Sequence, residues 1–219
     1  MVIQGPILVC FAVREEAAFF SVPKCLREAC HVVITGMGAL NAVATLNQAY
    51  RQLMPRLILT CGFAGGLRPG LPLGSVLYSA DPEIDIEPTI DKLGAIRARF
   101  HFSERIAWSA AEKASLWSAT GADAVEMESE AIRRLAKTLS VPSATVRVIS
   151  DPAEEDLPLD FNQLLTEDCR VNYRKLAWRL ARAPGRIPAL LRFQRQTRLA
   201  ARRLGEVLQG LLAGNRVVH

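Results

Sequence analysis

At 219 residues the chain holds one substantial domain, or one with an appendage, and leaves no room for two equal domains. Half of its residues are hydrophobic and 22% are charged, which excludes a disordered chain and calls for a sizeable core in an α/β or α-rich fold. The net charge of +5 is uneven: Arg170 to Arg203 holds eleven Lys or Arg and no Asp or Glu, leaving the rest of the chain at −6 and pointing to an anionic partner for the basic stretch.

The N-terminal MVIQGPILVCFAV has no basic leader and runs straight into Arg14, Glu15 and Glu16, so it reads as a first strand over 7–13 and not as a signal peptide. HVVIT (31–35) follows, then a helix over 39–54 in which Leu40, Val43, Leu46, Tyr50 and Leu53 recur at three- and four-residue steps. Further short, β-branched runs predict strands at 56–61, 74–80, 99–102, 122–127 and 143–150. Several are nearly continuous apolar stretches, the pattern of strands covered on both faces. Strands alternating with helices predict a mostly parallel α/β sheet with helices on both sides. Asp81 to Arg97, with Pro82 and Pro88, is expected to be a loop.

After Pro158 the pattern turns helical, over 160–182 and 189–212, with a break at Ala183-Pro184-Gly185. The expected organisation is an α/β domain over 1–158 and a basic amphipathic helical tail over 159–219. In the last helix Phe193, Thr197, Ala200, Leu204, Val207 and Leu211 form one stripe and Arg195, Arg198 and Arg202 another. Such a helix either packs on the body or a partner subunit, or lies on an anionic membrane surface. The tail has no aromatic stacking platform or DNA-binding motif, so nucleic acid is not an expected partner. No apolar run reaches the roughly 18–20 residues of a membrane span. Cys10, Cys25, Cys30, Cys61 and Cys169 are odd in number and form no C-x-x-C pair, which reads as buried reduced thiols in a cytoplasmic protein.

Three stretches can carry chemistry. In AVEMESEAIRRLA (124–136) a strand gives way to a helix whose buried face runs through Glu128, Ala131, Ile132, Leu135 and Leu139. Glu128 heads that face, Glu130 can pair with Arg134 on the outside, and Glu126 has no assigned role. A charge at a helix N-terminus accounts for one acid, while a buried carboxylate suits a polar ligand such as a sugar diol. In TVRVISDPAEED (145–156) a strand releases Ser150 and Asp151 at its carboxyl end, where open α/β sheets bind ligands, although Asp before Pro is also a common turn initiator. In CFAVREEAAFF (10–20) one acid can cap a helix and the other enter the same crevice. CGFAGGL (61–67) and TGMGALNA (35–42) put glycines after apolar strands, without the third glycine of a dinucleotide fingerprint. There is no Walker sequence, no G-x-S-x-G and no His/Cys spacing for a metal, so no metal or cofactor is expected.

FAVREE (11–16), ITGMGALNA (34–42), LTCGFAGGL (59–67) with GSVLYSAD (74–81), AVEMES (124–129) and VRVISDPA (146–153) together resemble the nucleoside phosphorylase and nucleosidase superfamily, in particular the bacterial methylthioadenosine/S-adenosylhomocysteine nucleosidases. The resemblance implies a three-layer α/β fold on a mixed, mostly parallel sheet, homo-oligomeric assembly, and cleavage of the N-glycosidic bond of a purine nucleoside. Asp151 would protonate the base at N7, Glu16 would orient or deprotonate a water, Glu128 would bind the ribose hydroxyls and Met127 would pack beside the sugar. Arg14, Gly62, Phe63, Arg147 and Ser150 fall at the further substrate-binding positions. Phe63 stands where those nucleosidases usually have serine, and Arg14 resembles the phosphate-binding arginine of the phosphorylases. Hydrolysis and phosphorolysis, with inorganic phosphate as co-substrate, both stay open. The segment between Asp81 and Arg99, shorter than in those nucleosidases, AAEKASLWSATGADAVEMES (110–129) and the arginine-rich, proline-broken tail most resemble the hopanoid-associated branch, which implies release of adenine from adenosylhopane by a protein peripheral to the inner membrane face. An inactive relative that binds a membrane or partner is the alternative that Phe63 and the shortened segment keep open.

Overall fold

ILVCF and LILTCGFAGG are apolar at nearly every position, so these strands need cover on both faces, and the computed structural model, which describes residues 5–166 and 172–214, supplies it. In chain order the elements are β1 (Ile7–Phe11), α1 (Arg14–Ala17), β2 (Cys30–Ile34), α2 (Ala39–Leu53), β3 (Leu57–Gly66), β4 (Val76–Ala80), α3 (Glu87–Lys92), β5 (Ile96–Arg97) and β6 (Phe100–Phe102). They continue with α4 (Ala110–Thr120), β7 (Ala124–Glu126), α5 (Ser129–Thr138), β8 (Ser143–Asp151), α6 (Tyr173–Arg182) and α7 (Ile187–Gly214). The central sheet runs β2-β1-β3-β8-β4-β5, with β7 paired to the far end of β3 and β6 to β7. β1, β2, β3 and β8 are parallel, whereas β4 opposes β8 and β7 opposes β3, so the sheet is mixed and mostly parallel.

Alternation along β1 assigns its two faces. Ile7, Val9 and Phe11 meet Leu204, Val207, Leu208 and Leu211 of α7, while Leu8 and Cys10 meet Leu46 of α2 and Ile132 and Ala136 of α5. Each fully buried Leu or Ile contributes about 1.5–3 kcal/mol, so α7 is a main support of the sheet. Of the two uses open to its stripe, packing on the body accounts for Ala200 to Leu212. The first half of α7 and α6 behave differently: Trp178, Ile187, Leu191 and Leu199 are exposed.

Several local expectations change. Residues 81–97 are not a plain loop, because Pro88 enters the first turn of α3, where its missing N–H costs nothing, and Ile96–Arg97 add an edge strand to β4. The glycines of CGFAGGL do not follow β3 but lie within it, since parallel pairing with β8 carries on through Ala64 before a register shift at Gly65. Between residues 160 and 182 the structure gives a short 3-10 turn, Phe161–Leu164, and then α6, and Cys169 lies outside the described residues. Cys10, Cys30 and Cys61 are buried free thiols as expected, while Cys25 is exposed.

α7 also fixes the loop that carries α1. A Cβ on Gly205 would sit 2.5 Å from the carbonyl oxygen of Phe19, so the helix touches that backbone directly. Gly205→Ala is expected to lower stability by about 1–3 kcal/mol through overpacking, measured by urea denaturation; an unchanged midpoint would show that the Phe19 loop yields freely.

Candidate active site

β1, β3 and β8 run parallel with their carboxyl ends on the same side, β3 and β8 continuing past the point where β1 stops at Phe11 beside Cys61, and the carboxyl ends of such strands form the crevice where open α/β folds bind ligands. The chain leaving β1 turns into α1, and Glu16 folds back so that its carboxylate accepts the N–H of Ala12 (2.8 Å) and Val13 (3.1 Å) through Oε2 and that of Phe63 (2.8 Å) through Oε1. One acid of the R-E-E run thus caps α1 and enters the crevice at once, while Glu15 stays exposed. Burial lifts the Glu16 carboxyl to about 7, against the pull of the Arg147 guanidinium and with the push of the nearby Glu128 charge.

Beneath this floor lies Arg147, in the middle of β8 and 1% exposed. It donates to Glu126 Oε2 at 2.7 Å, to Glu128 Oε2 at 3.3 Å, and to the Ser129 hydroxyl through Nε at 3.1 Å. Glu126 also accepts the N–H of Glu128 (2.9 Å) and of Ser129 (2.6 Å), so it caps the start of α5. Glu128 is thereby held at the head of the helix, its other oxygen accepting the Gly38 N–H at 2.9 Å. Its carboxyl is raised by burial, with Arg147 opposing. Gly62 makes the cluster possible, because a Cβ there would collide with both Arg147 Nη1 and Glu16 Oε1.

At the end of β8, Asp151 is 7% exposed. Its Oδ1 accepts the Ser150 hydroxyl at 2.6 Å and its Oδ2 the Lys113 ammonium at 2.6 Å. Burial raises its pKa while Lys113 draws it down, and the net direction is upward.

These groups surround a cavity of about 690 Å³. Glu16, Glu128, Asp151, Met127, Phe63 and Ser150, all singled out in the sequence, line it. Arg147 and Gly62 are placed below the wall, as support for Glu16 and Glu128, and Arg14 is exposed and does not line it. Sequence reasoning missed the role of Glu126, whose cap on α5 explains the first acid of the E-M-E-S-E run, and Lys113, a fully buried cation on a helix of weak pattern. It also missed the apolar wall of Met37, Ile106, Leu157, Phe161 and Phe193. The stripe position of Phe193 was visible; its use as cavity lining was not. Glu130 pairs with Arg134 on the exposed face of α5.

The cavity walls carry five carboxylates, Glu15, Glu16, Glu126, Glu128 and Asp151, against one basic side chain, Arg105, which pairs with Glu112. Such a site stabilises developing positive charge and, through a carboxyl of raised pKa, can supply a proton to a leaving group. Among the described residues no cluster of His, Cys, Asp or Glu has metal-site geometry.

The sequence profile of the phosphorylase superfamily matches residues 95–182. Among solved structures, futalosine hydrolase of Helicobacter pylori superposes with a TM-score of 0.69 at 16% identity, over 96% of this chain and 98% of that one. The 5'-methylthioadenosine/S-adenosylhomocysteine nucleosidase of the same organism, bound to butyl-thio-DADMe-Immucillin-A, gives 0.69 at 17% identity over 96% and 99% of the two chains. The S-adenosylhomocysteine nucleosidase of Streptococcus pyogenes, in complex with 5-methylthiotubericidin, gives 0.69 at 15% identity over 98% of each. Residues 95–182 are thus similar in sequence to the phosphorylase superfamily, and nearly the whole chain shares the fold of these hydrolase and nucleosidase structures.

Proposed function

We propose that the protein hydrolyses the N-glycosidic bond of a 5'-substituted purine nucleoside and releases adenine. The observation that carries this reading is the meeting of Glu16, Glu128 and Asp151 on one largely apolar cavity, each carboxyl raised by burial. In this reading Asp151 gives its proton to N7 of the base, which makes the purine a leaving group. Glu128, already fixed by Arg147 and Gly38, takes the ribose hydroxyls, and Met127 packs beside the sugar. Glu16 removes the proton from a water that attacks C1', and the carboxylates around the sugar stabilise its oxocarbenium-like charge. The nucleoside analogues bound by the H. pylori and S. pyogenes nucleosidases support a nucleoside in the equivalent place.

Water is favoured over phosphate as acceptor because the one basic side chain lining the cavity, Arg105, is already paired with Glu112 and every other ionisable group on the wall is an acid, a poor setting for a dianion. Arg147 is already committed to Glu126, Glu128 and Ser129, and Arg14 lies off the wall. The sign of the pH dependence follows: Glu16 acts ionised, so kcat/KM should fall as pH drops below about 7, and Asp151 acts protonated, so a second decline follows at higher pH. A flat profile on the acid side would remove Glu16 as the base.

For the 5' group we infer a bulky hydrocarbon, with adenosylhopane the leading candidate. Phe161, Phe193, Leu157 and Ile106 give the cavity an apolar wall, and Phe193 belongs to the half of α7 that also exposes Ile187, Leu191 and Leu199. Arg182, Arg186, Arg192, Arg195 and Arg198 accompany those side chains, a mixture suited to an anionic membrane surface. No helix among the described residues is long and apolar enough to cross a membrane, so the contact proposed is peripheral. Adenosylhopane, methylthioadenosine and S-adenosylhomocysteine should be compared with and without phosphate. We expect adenosylhopane to be preferred and phosphate to have no effect; preference for methylthioadenosine would assign the small 5' substituents instead, and ribose 1-phosphate as product would overturn hydrolysis. Because α7 supports the core, membrane binding is tested by floating intact protein and a Trp178→Glu/Leu191→Glu variant with anionic vesicles. Equal flotation would remove this surface from the account.

A further inference from the structure

Lys113 is the one fully buried lysine among the described residues. It stands on α4, and its ammonium reaches Asp151 Oδ2 at 2.6 Å, the carbonyl of Pro152 at 2.9 Å and that of Glu155 at 2.8 Å. Three N–H donors meet three acceptors, so the charged form is fully satisfied without water. The two carbonyls belong to the turn that follows β8, so the lysine also pins the backbone directly after Asp151. With Ser150 on Oδ1 and Lys113 on Oδ2, both carboxyl oxygens have a fixed partner and the plane of the group is set.

We propose that Lys113 is a positioning residue that orients Asp151 and keeps its proton affinity low enough for the proton to be released. This rests on Asp151 being the general acid. Without the ammonium, a carboxyl in this buried place would hold its proton more tightly, since burial already acts in that direction and the nearby Glu155 charge adds to it. The groups facing Asp151 are Lys113 from α4, Ser150 from β8 and Glu155 from the following turn, and Lys113 is the only cation among them. A proton passed from Asp151 to the base leaves a carboxylate that the same ammonium stabilises, so the pair favours transfer as well as geometry.

The test compares wild type, Lys113→Met and Lys113→Arg. Carboxyl-carbon NMR of aspartate-labelled protein, with Asp151→Asn for assignment, should show Asp151 titrating at least one pH unit higher in Lys113→Met and close to wild type in Lys113→Arg. In the same proteins the high-pH limb of kcat should move up with that titration while kcat at the optimum falls at least tenfold and KM changes less. An unmoved Asp151 titration in folded Lys113→Met would overturn the proposal, as would a moved titration with an unmoved limb. Release of no adenine from any nucleoside by the wild type would defeat the hydrolase reading separately. The NMR titration would then still decide whether Lys113 controls Asp151.

Discussion

Asp151→Asn should lower kcat for adenine release by a factor of about 10²–10⁴, the usual yield of a positioned general acid, with a much smaller change in nucleoside binding. Asparagine keeps the size of the side chain; its amide oxygen can still accept from Lys113 while its N–H donates to the Ser150 hydroxyl, which turns to accept, so the site should survive while the transferable proton is lost. The variant isolates chemistry from packing for that reason. Single-turnover rates beside nucleoside affinity check it. Near-normal turnover in a folded variant would remove Asp151 as the acid and leave burial as the whole account of its raised pKa.

Arg147→Met should be the most destabilising single change in the site. Arg147 is 1% exposed and answers Glu126 and Glu128, and it draws Glu16 toward its charged form. Removing one partner of a buried pair costs about 3–5 kcal/mol, a large share of the ~5–15 kcal/mol that holds a domain together. Here two paired carboxylates lose their counter-ion, so protonation of Glu128, whose carboxyl burial already raises, should follow and the loss should be smaller at low pH. Urea unfolding at pH 5 and pH 8 measures both effects. A loss below about 1 kcal/mol, or one independent of pH, would show that the acids do not depend on this cation.

The fold was legible where one element answers to one pattern. β1, α2 and β8 announce themselves by continuous apolar runs or by helical periods, and each lies within a residue or two of its expected place. α7 was legible as an amphipathic helix, but a stripe of apolar residues does not say what it faces. Only the sheet, seen with Ile7, Val9 and Phe11 turned toward it, shows that Leu204, Val207 and Leu211 complete the core. The short elements α3 and β5 were hidden because six and two residues are too few to express a period.

In the site, the residues whose chemistry is local were legible. Glu128 heads a buried helical face and Asp151 ends a buried strand, both readable from neighbours in sequence. Lys113 was not, since its partner lies 38 residues on and helix α4 shows little apolar patterning around it. Glu126 was ambiguous because an alternating E-M-E-S-E run gives three acids and no depth. The structure separates them: Glu126 caps α5 and pairs with Arg147, Glu128 faces the cavity, and Glu130 pairs outside with Arg134.

The central claim is that this carboxylate cavity hydrolyses a purine nucleoside at its glycosidic bond. The most direct measurement is the product pair formed by the intact protein from adenosylhopane, methylthioadenosine or S-adenosylhomocysteine in ¹⁸O-labelled water. The account predicts free adenine and a sugar carrying one ¹⁸O at C1', formed at a rate unchanged by phosphate. Intact nucleoside in every reaction, after the protein has been shown to bind it, would contradict the account.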